Sequence, residues 1–372
     1  MKRSLRTGGT LLSALGIIAV LLLCAGDTAE AAADALHLAA TVLVPSLFPF
    51  AVLSGFLAAR GTAAAWRRPL GRLTARLFHA DPGCAAAWAM GWLCGFPIGA
   101  AVLAALTARG GIRRDSAARM LPVCSCAGPG FLVTVAGAQL LRSRRAGWLL
   151  LLVHLGASLL AGLTLRPAEP PPEAPDPPGD APPSLPVAFT EAVRGAALAM
   201  VQLAGFLVFF SMLLALLRRA AGALGLGAGA VLLLSGLLEL TNGLQLLTQT
   251  AAPLPLRFLL SAAMLGWSGL CVHAQVLSLA LPAGLPARPY LRGKLLHGLY
   301  SALLSLLMLP LLAGETAPAA AFPAPAPEAE GLWRAACVAL LALFFILLWK
   351  SGAGFGIIKK TDQGGGRRHA VR

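Results

Sequence analysis

Charge is what this chain has least of. Of 372 residues only 12% are Asp, Glu, Lys or Arg, about half the share of roughly 25% in soluble domains. Acids are rarer than bases, 15 against 30, and only two residues are tyrosine. A water-soluble fold of this length needs more polar surface than that. The net charge of +15 does not point to nucleic acid, because the basic residues flank apolar runs and few aromatics interleave with them. Catalytic signatures are missing too. There is no Walker A sequence, no G-x-S-x-G elbow and no H-E-x-x-H helix. Paired carboxylates, or a nucleophile beside a base, are likewise not found. No enzyme activity and no cofactor is expected. The seven cysteines (Cys24, Cys84, Cys94, Cys124, Cys126, Cys271 and Cys337) contain no C-x-x-C pair, so no metal site is expected and they read as small apolar residues.

What is present is hydrophobic sequence, 58% of the chain, in runs near the 20 residues that cross a bilayer core of about 30 Å. The class is all-α, a polytopic integral membrane protein whose principal partner is the lipid bilayer. Candidate segments fall at about 8–26, 36–58, 84–107, 120–141, 146–165, 195–217, 227–248, 258–281, 295–313 and 332–349. Lys2, Arg3 and Arg6 before the first run give it a signal-peptide look; an uncleaved first helix is expected. Trp66, Trp88, Trp148 and Trp333 read as interface anchors.

The loops carry the orientation. Asp27, Glu30 and Asp34 follow the first segment. Arg60, Arg67, Arg68, Arg72 and Arg76 follow the second, on a stretch (59–82) that reads as an amphipathic helix against anionic headgroups. Arg109, Arg113, Arg114 and Arg119 follow the third segment, and Arg142, Arg144 and Arg145 the fourth. Both of these segments are interrupted midway, at Gly95-Phe96-Pro97-Ile98-Gly99 and at Ala127-Gly128-Pro129-Gly130, where Pro and Gly break helices. Two re-entrant hairpins would return both arginine clusters to the cytoplasm, leaving about eight full spans plus two re-entrant or broken segments. Ten full spans are the alternative. The organisation expected is an N-terminal membrane half (1–165), a Pro-rich external linker (166–187), a C-terminal membrane half (188–350) and a basic cytoplasmic tail (351–372). Arg288, Arg292 and Lys294 read as one cytoplasmic loop and Glu315, Glu328 and Glu330 as an external one. Both termini are placed in the cytoplasm, by the bias of Lys and Arg towards that side. A weak two-half repeat is suggested by Met90-Gly91-Trp92 and Leu265-Gly266-Trp267, each followed by a Val-Leu pair and a basic loop. Paired halves with interrupted helices are a transporter plan.

Few polar residues lie inside the apolar segments. Glu239 is the one acid in the middle of such a run. On a continuous helix Ser235, Glu239, Asn242, Gln245 and Gln249 share one face. A carboxyl in lipid is costly, so it faces a bundle interior or a wet cavity. There it can hold a small polar solute or a coupling ion with the amides; helix–helix hydrogen bonding is the rival use. The interruptions form a second candidate, with Gly95, Pro97, Ser125, Gly128 and Pro129 exposing backbone groups near the midplane. His273 and Gln275 are a third.

The residues Val44-Pro45-Ser46-Leu47-Phe48-Pro49-Phe50, the Ala89-Met90-Gly91-Trp92 run leading into Gly95-Phe96-Pro97-Ile98-Gly99, the Arg-rich segment closing with Asp81-Pro82-Gly83, and the Ser235 to Gly243 stretch resemble the YlbJ family of sporulation integral membrane proteins, over roughly residues 36–313. That family sits in a wider nucleoside-recognition (Gate) domain group, similar to parts of concentrative nucleoside transporters and of the ferrous-iron permease. The resemblance implies a multi-pass protein of the cell membrane of an endospore former, needed for spore formation, with transport or gating of a nucleoside-like solute or an ion as its activity. The second implied role is non-transporting, organising spore envelope or cortex assembly with other envelope proteins as partners. Family members often carry an Asn/Ser-Pro cluster after the hairpin. Here the stretch reads Cys124-Ser125-Cys126-Ala127-Gly128-Pro129, so polar contacts there fall to Ser125 or to backbone.

Overall fold

Every backbone N–H and C=O in hydrocarbon must be paired within the protein. A chain this apolar meets that demand with helices. The computed structural model describes Leu11 and residues 15–60, 62–169 and 183–312, and no strand occurs among them. The first ten residues, the middle of the Pro-rich linker, the segment 332–349, its flanking glutamates and the basic tail lie outside the described residues.

Among the described residues five helices or helix pairs are long and apolar enough to cross a membrane: Ala25–Leu57, Arg144–Thr164, Leu185–Ala223, Leu254–Ala280 and Ala287–Leu312. The first comprises α1 (Ala25–Leu38), a π-helical turn (Ala39–Leu43) and α2 (Val44–Ala59). Asp27, Glu30 and Asp34 were expected in a loop between two spans. They sit instead on α1, and the helix continues back through residues 15–23 without a loop. After α2 comes α3 (Thr62–Phe78), the Arg-rich helix, and then Asp81, whose carboxylate caps the following turn by accepting from Gly83 N.

The next two helices, α4 (Ala85–Cys94) and α5 (Ile98–Ala108), are joined by Gly95-Phe96-Pro97 alone. A Cβ placed on Gly99 would lie 2.6 Å from Gly91 Cα, whereas eight residues along one straight helix are about 12 Å apart. The chain therefore folds back, and this segment is a hairpin of two helices, the geometry that a re-entrant segment needs. The next segment does not fold back. It consists of α6 (Arg114–Cys124), a bend at 125–129 and a π-helix (Phe131–Leu140). From Val123 to Gly137 it runs antiparallel to α7 (Arg144–Thr164). Gly147 meets Val133 and Gly137, His154 receives Ala127 N, and Ser158 and Gly162 reach Val123. Residues 120–141 thus belong to a broken crossing, and the arginine clusters 109–119 and 142–145 lie at opposite ends of the bundle. Pro and Gly announce an interruption but not whether the chain then reverses or goes on; the packing partner decides that.

The 39-residue α8 (Leu185–Ala223) pairs antiparallel with α1 and α2, through Gly55 against Ala192 and an Arg219–Asp27 ion pair of 2.6 Å. The linker before it was expected across the membrane from the Arg-rich stretch. Both of its described ends contact that stretch: His79 Nδ1 lies 2.8 Å from Pro167 O, and Arg60 donates to Pro183 O at 2.6 Å. Next, α9 (Ala228–Leu238) and α10 (Leu240–Thr248) form a second hairpin, because a Cβ on Gly243 would fall 2.4 Å from Gly236 Cα. Residues 227–248 were read as a span; one extended residue, Glu239, reverses them. A second broken crossing follows, α11 (Leu254–Trp267) and α12 (Gly269–Ala280), bent at the left-handed Ser268. It ends with Gly284 against the Arg114 guanidinium. Finally α13 (Ala287–Met308) crosses back beside α7 and α11.

The order of elements recurs, though not in the register that the Gly-Trp pairs suggested. Each half holds a hairpin followed by a broken crossing. The first hairpin enters from the end that carries α3 and the second from the opposite end. Gly91 and Gly266, the glycines of the Gly-Trp pairs that suggested the repeat, sit on non-equivalent elements, one in a hairpin arm and one in a broken crossing.

Two outcomes follow from this packing. Arg113→Cys and Arg144→Cys, both at exposed positions, react with a membrane-impermeant maleimide in vesicles of opposite orientation; labelling from one side would refute the broken crossing. Gly99→Ala sets a Cβ 2.0 Å from the Cys124 carbonyl oxygen and lowers thermal stability in detergent by about 1–3 kcal/mol. Gly195→Ala, with open space at its Cβ, is neutral or mildly stabilising.

Candidate functional site

The four interruptions meet. At the first, Phe96 N in the hairpin tip donates to Cys126 O in the bend at 2.7 Å, and a Cβ on Gly95 would overlap Gly128 N at 2.6 Å. At the second, Gly269 lies against Leu238 O, Glu239 and Leu240 N, while Trp267 Nε1 donates to Leu237 O at 3.2 Å. Each hairpin tip is seated on the bend of the broken helix that follows it. Between the two seats is a small cavity of about 40 Å³, bounded by Cys94, Gly95, Phe96, Gly128, Glu239 and Gln275 among others, and closed by Leu43, Leu47, Leu203 and Leu207.

Glu239 supplies the carboxylate of this cavity, at 2% exposure. Its backbone is extended (φ −138°, ψ 117°) and it stands at the first position before α10. One carboxylate oxygen accepts from Thr241 N at 3.0 Å. The other accepts from Asn242 N at 2.6 Å and from Asn242 Nδ2 at 2.8 Å. The side chain thereby satisfies the free N–H groups at the start of a half-helix, where a negative charge is favoured by the helix dipole. Asn242 Nδ2 also donates to Ser211 Oγ at 2.9 Å, tying the tip to α8.

The expected polar stripe dissolves at this bend. Ser235 is buried and donates to Val231 O, and Gln245 and Gln249 are exposed on the returning arm. Of the candidates, Glu239, Gly95, Gly128 and Gln275 line the cavity. Asn242 acts through Glu239. Pro97 lies next to the cavity, on an open groove of about 510 Å³ between α2, α5, α8 and α12, with Ala51, Gly55, Glu191 and Gln202. Pro129 lines neither space. His273 turns away and pairs its Nδ1 with Tyr290 Oη at 2.9 Å. Trp88, expected at the membrane interface, is buried edge-on between Phe78 and Trp92.

Ser125 contributes through its backbone, as the departure from the family pattern implied. Its partner was not foreseen. Lys294, expected in a cytoplasmic loop, is fully buried in α13 and donates to Ser125 O at 3.1 Å. Its Nζ also lies 3.1 Å from His297 Nδ1. His297 Nε2 in turn reaches His154 O at 2.9 Å, and His154 Nε2 accepts from Ala127 N at 2.9 Å. The signal was in the sequence: Tyr290, Lys294, His297, Ser301 and Ser305 recur at helical spacing, and all five are buried. Cys126, His154 and His297 bring their ligand atoms within 4.8 Å of one another. Both ring nitrogens of His297 are already engaged, one by an ammonium, so the trio does not offer three free donors to a cation.

Comparison with known proteins agrees with the motifs. The chain is 26% identical over 313 residues to the sporulation integral membrane protein YlbJ of Bacillus subtilis (strain 168), covering 75% of this chain and 77% of that one. The resemblance read from the motifs is thus shown at the level of that protein; the nucleoside-recognition grouping is not part of the match. No family profile and no solved structure matches.

The Asn242 bridge makes a prediction. Asn242→Leu strips one bond from the buried carboxylate and leaves Ser211 without its partner, so it lowers stability in detergent by about 1–3 kcal/mol. Ser211→Ala, which spares the Glu239 contacts, costs less. Equal melting temperatures for the two variants would show that Asn242 does not hold the tip.

Proposed function

We propose that this protein moves a small polar solute or ion across the membrane during spore formation, through the cavity at Glu239. The observation that carries the reading is the convergence of two oppositely inserted hairpins and two broken crossings on one buried carboxylate. A merely structural bundle has no need of four interruptions in lipid, each of which leaves backbone groups to be satisfied. Transporters use such half-helix ends to bind solutes at the midplane, with two repeats moving around the site. The sporulation role comes from the relative's name and extends to this chain by that similarity.

Cavity size narrows the cargo. About 40 Å³ holds a water or two, or a bare ion, while sites for drug-sized ligands run to roughly 300–1,000 Å³. In this closed form the site fits an ion or a very small solute. A nucleoside enters only if a hairpin tip moves. The 510 Å³ groove supports such a route: it reaches from Ala59 and Glu191, at the α3 end, to Pro97, the neighbour of Phe96 in the cavity wall. The α3 end gathers Arg72, Arg76, Arg109, Arg113, Arg114, Arg288 and Arg292 and is oriented to the cytoplasm on this reading.

The test is reconstitution into liposomes with flux measured for protons, sodium and a panel of nucleosides and nucleobases. Glu239→Gln keeps the size of the side chain and is expected to insert normally. Its flux falls by about tenfold or more, a loss of about 1.4 kcal/mol in the barrier region. Wild-type flux that survives in this variant would remove Glu239 from the path. Failure of the variant to insert would make it a structural cap.

A further inference from the structure

Lys294 is the fully buried cation of the described bundle, and its surroundings are unusual. The groups facing it are Cys126 in the bend, His154 on α7, His273 on α12, and His297 with Tyr290 on its own helix. None is a carboxylate, and no Asp or Glu among the described residues lies within 4.0 Å of its Nζ. An ammonium has three N–H bonds to satisfy, and two acceptors are present, Ser125 O and His297 Nδ1. Buried charges are ordinarily paired, and an intramembrane ionisable residue without a partner marks a working site.

The tautomers agree with this. His297 Nε2 lies against a carbonyl, so it carries the proton and leaves Nδ1 as an acceptor for Lys294. His154 accepts at Nε2 from a backbone N–H, so its proton is on Nδ1, which has no partner. Ser125 Oγ is also buried and unpartnered. This cluster of buried polar groups contacts, through Ser125 O and Ala127 N, the bend whose Ala127 and Gly128 line the cavity.

We infer that Lys294 is the proton-binding residue of the transport cycle, and that its proton latches the first broken helix. This rests on the reading of the cavity as the solute site, and it names the coupling ion. With the proton bound, the ammonium holds Ser125 O. The bend stays closed, and Cys126 O stays in place for Phe96 N of the hairpin tip. On release the Nζ–H bond breaks, the electron pair stays on nitrogen, and the proton passes to a water admitted through the cavity. The neutral amine is a weaker donor, the grip on Ser125 O loosens, and the tip of the first hairpin is free to leave its seat.

Cys94 reports that seat without any solute, because it lines the cavity and is half-buried. A membrane-permeant maleimide is applied to the reconstituted full-length protein, and labelling of Cys94 is read by peptide mass spectrometry. Thiol ionisation alone raises labelling with pH, so Lys294→Arg, permanently charged, sets the baseline at each pH. Relative to that baseline, wild-type labelling of Cys94 rises about tenfold as pH climbs from about 7 towards the ordinary lysine value of about 10.4. Lys294→Met stays above the baseline by the same factor at every pH. A wild-type profile that is flat in pH overturns the proposal whether or not the variants fold. So does one that runs parallel to the baseline, or a wild-type rise over the baseline in a folded Lys294→Met protein. Solute and proton flux is followed in the same vesicles. Labelling that responds to pH without any flux leaves the latch and removes the transport reading; flux with flat labelling does the opposite.

Discussion

Unpaired backbone groups in a water-free interior dominate this structure. Each interrupted helix frees carbonyls and N–H groups that lipid cannot satisfy. The chain answers each break with a specific partner: Cys126 O with Phe96 N, Ser125 O with Lys294, Ala127 N with His154, and Thr241 N with the Glu239 carboxylate. The breaks are close together because they serve one another. Glycines at the points of closest approach, such as Gly95 against Gly128 and Gly243 against Gly236, let backbone reach backbone.

The same partners give the site its chemistry. Hydrogen bonds that complete a broken helix also aim a carboxylate at one side of a small cavity and set a buried ammonium behind the opposite side. Neither charge is neutralised by the other in this form. Both are held by dipoles, the carboxylate by helix N–H groups and the ammonium by a carbonyl and an imidazole. Charges held that way respond to any movement of the backbone that holds them.

Much of this was legible in the residues. Apolar runs announced the membrane, Gly95-Phe96-Pro97 the first reversal, and Glu239 the acid at the centre. The second hairpin was not, because Glu239 is neither Gly nor Pro, and Ser235-Gly236 and Asn242-Gly243 on either side of it were taken as positions on one continuous helix although such dipeptides mark turns. Ser268-Gly269 carried a turn signal that a hydrophobic count overrode. Charge counting put the Arg109–Arg119 and Arg142–Arg145 clusters at one end and the linker at the end away from the Arg-rich stretch, since it assumed that the arginine groups share one side; the packing separates the first two and joins the described linker ends to that stretch. Lys294 went astray for a related reason. It adjoins Arg288 and Arg292, so it read as the end of a basic loop, and only its spacing from Tyr290, His297, Ser301 and Ser305 showed that it belongs to a buried face.

The Lys294–Ser125 bond also bears on how the chain is made. Each hairpin finds its seat within the next few dozen residues, so each repeat can close soon after it leaves the ribosome. Ser125 O waits for a donor 169 residues further on. Until α13 is synthesised and inserted, the first bend lacks that donor, and the nascent N-terminal half carries an unsatisfied carbonyl in the bilayer. The last described crossing is thus the one that completes the first half, and a ribosome stalled before residue 294 leaves a chain with both described hairpins and no finished core.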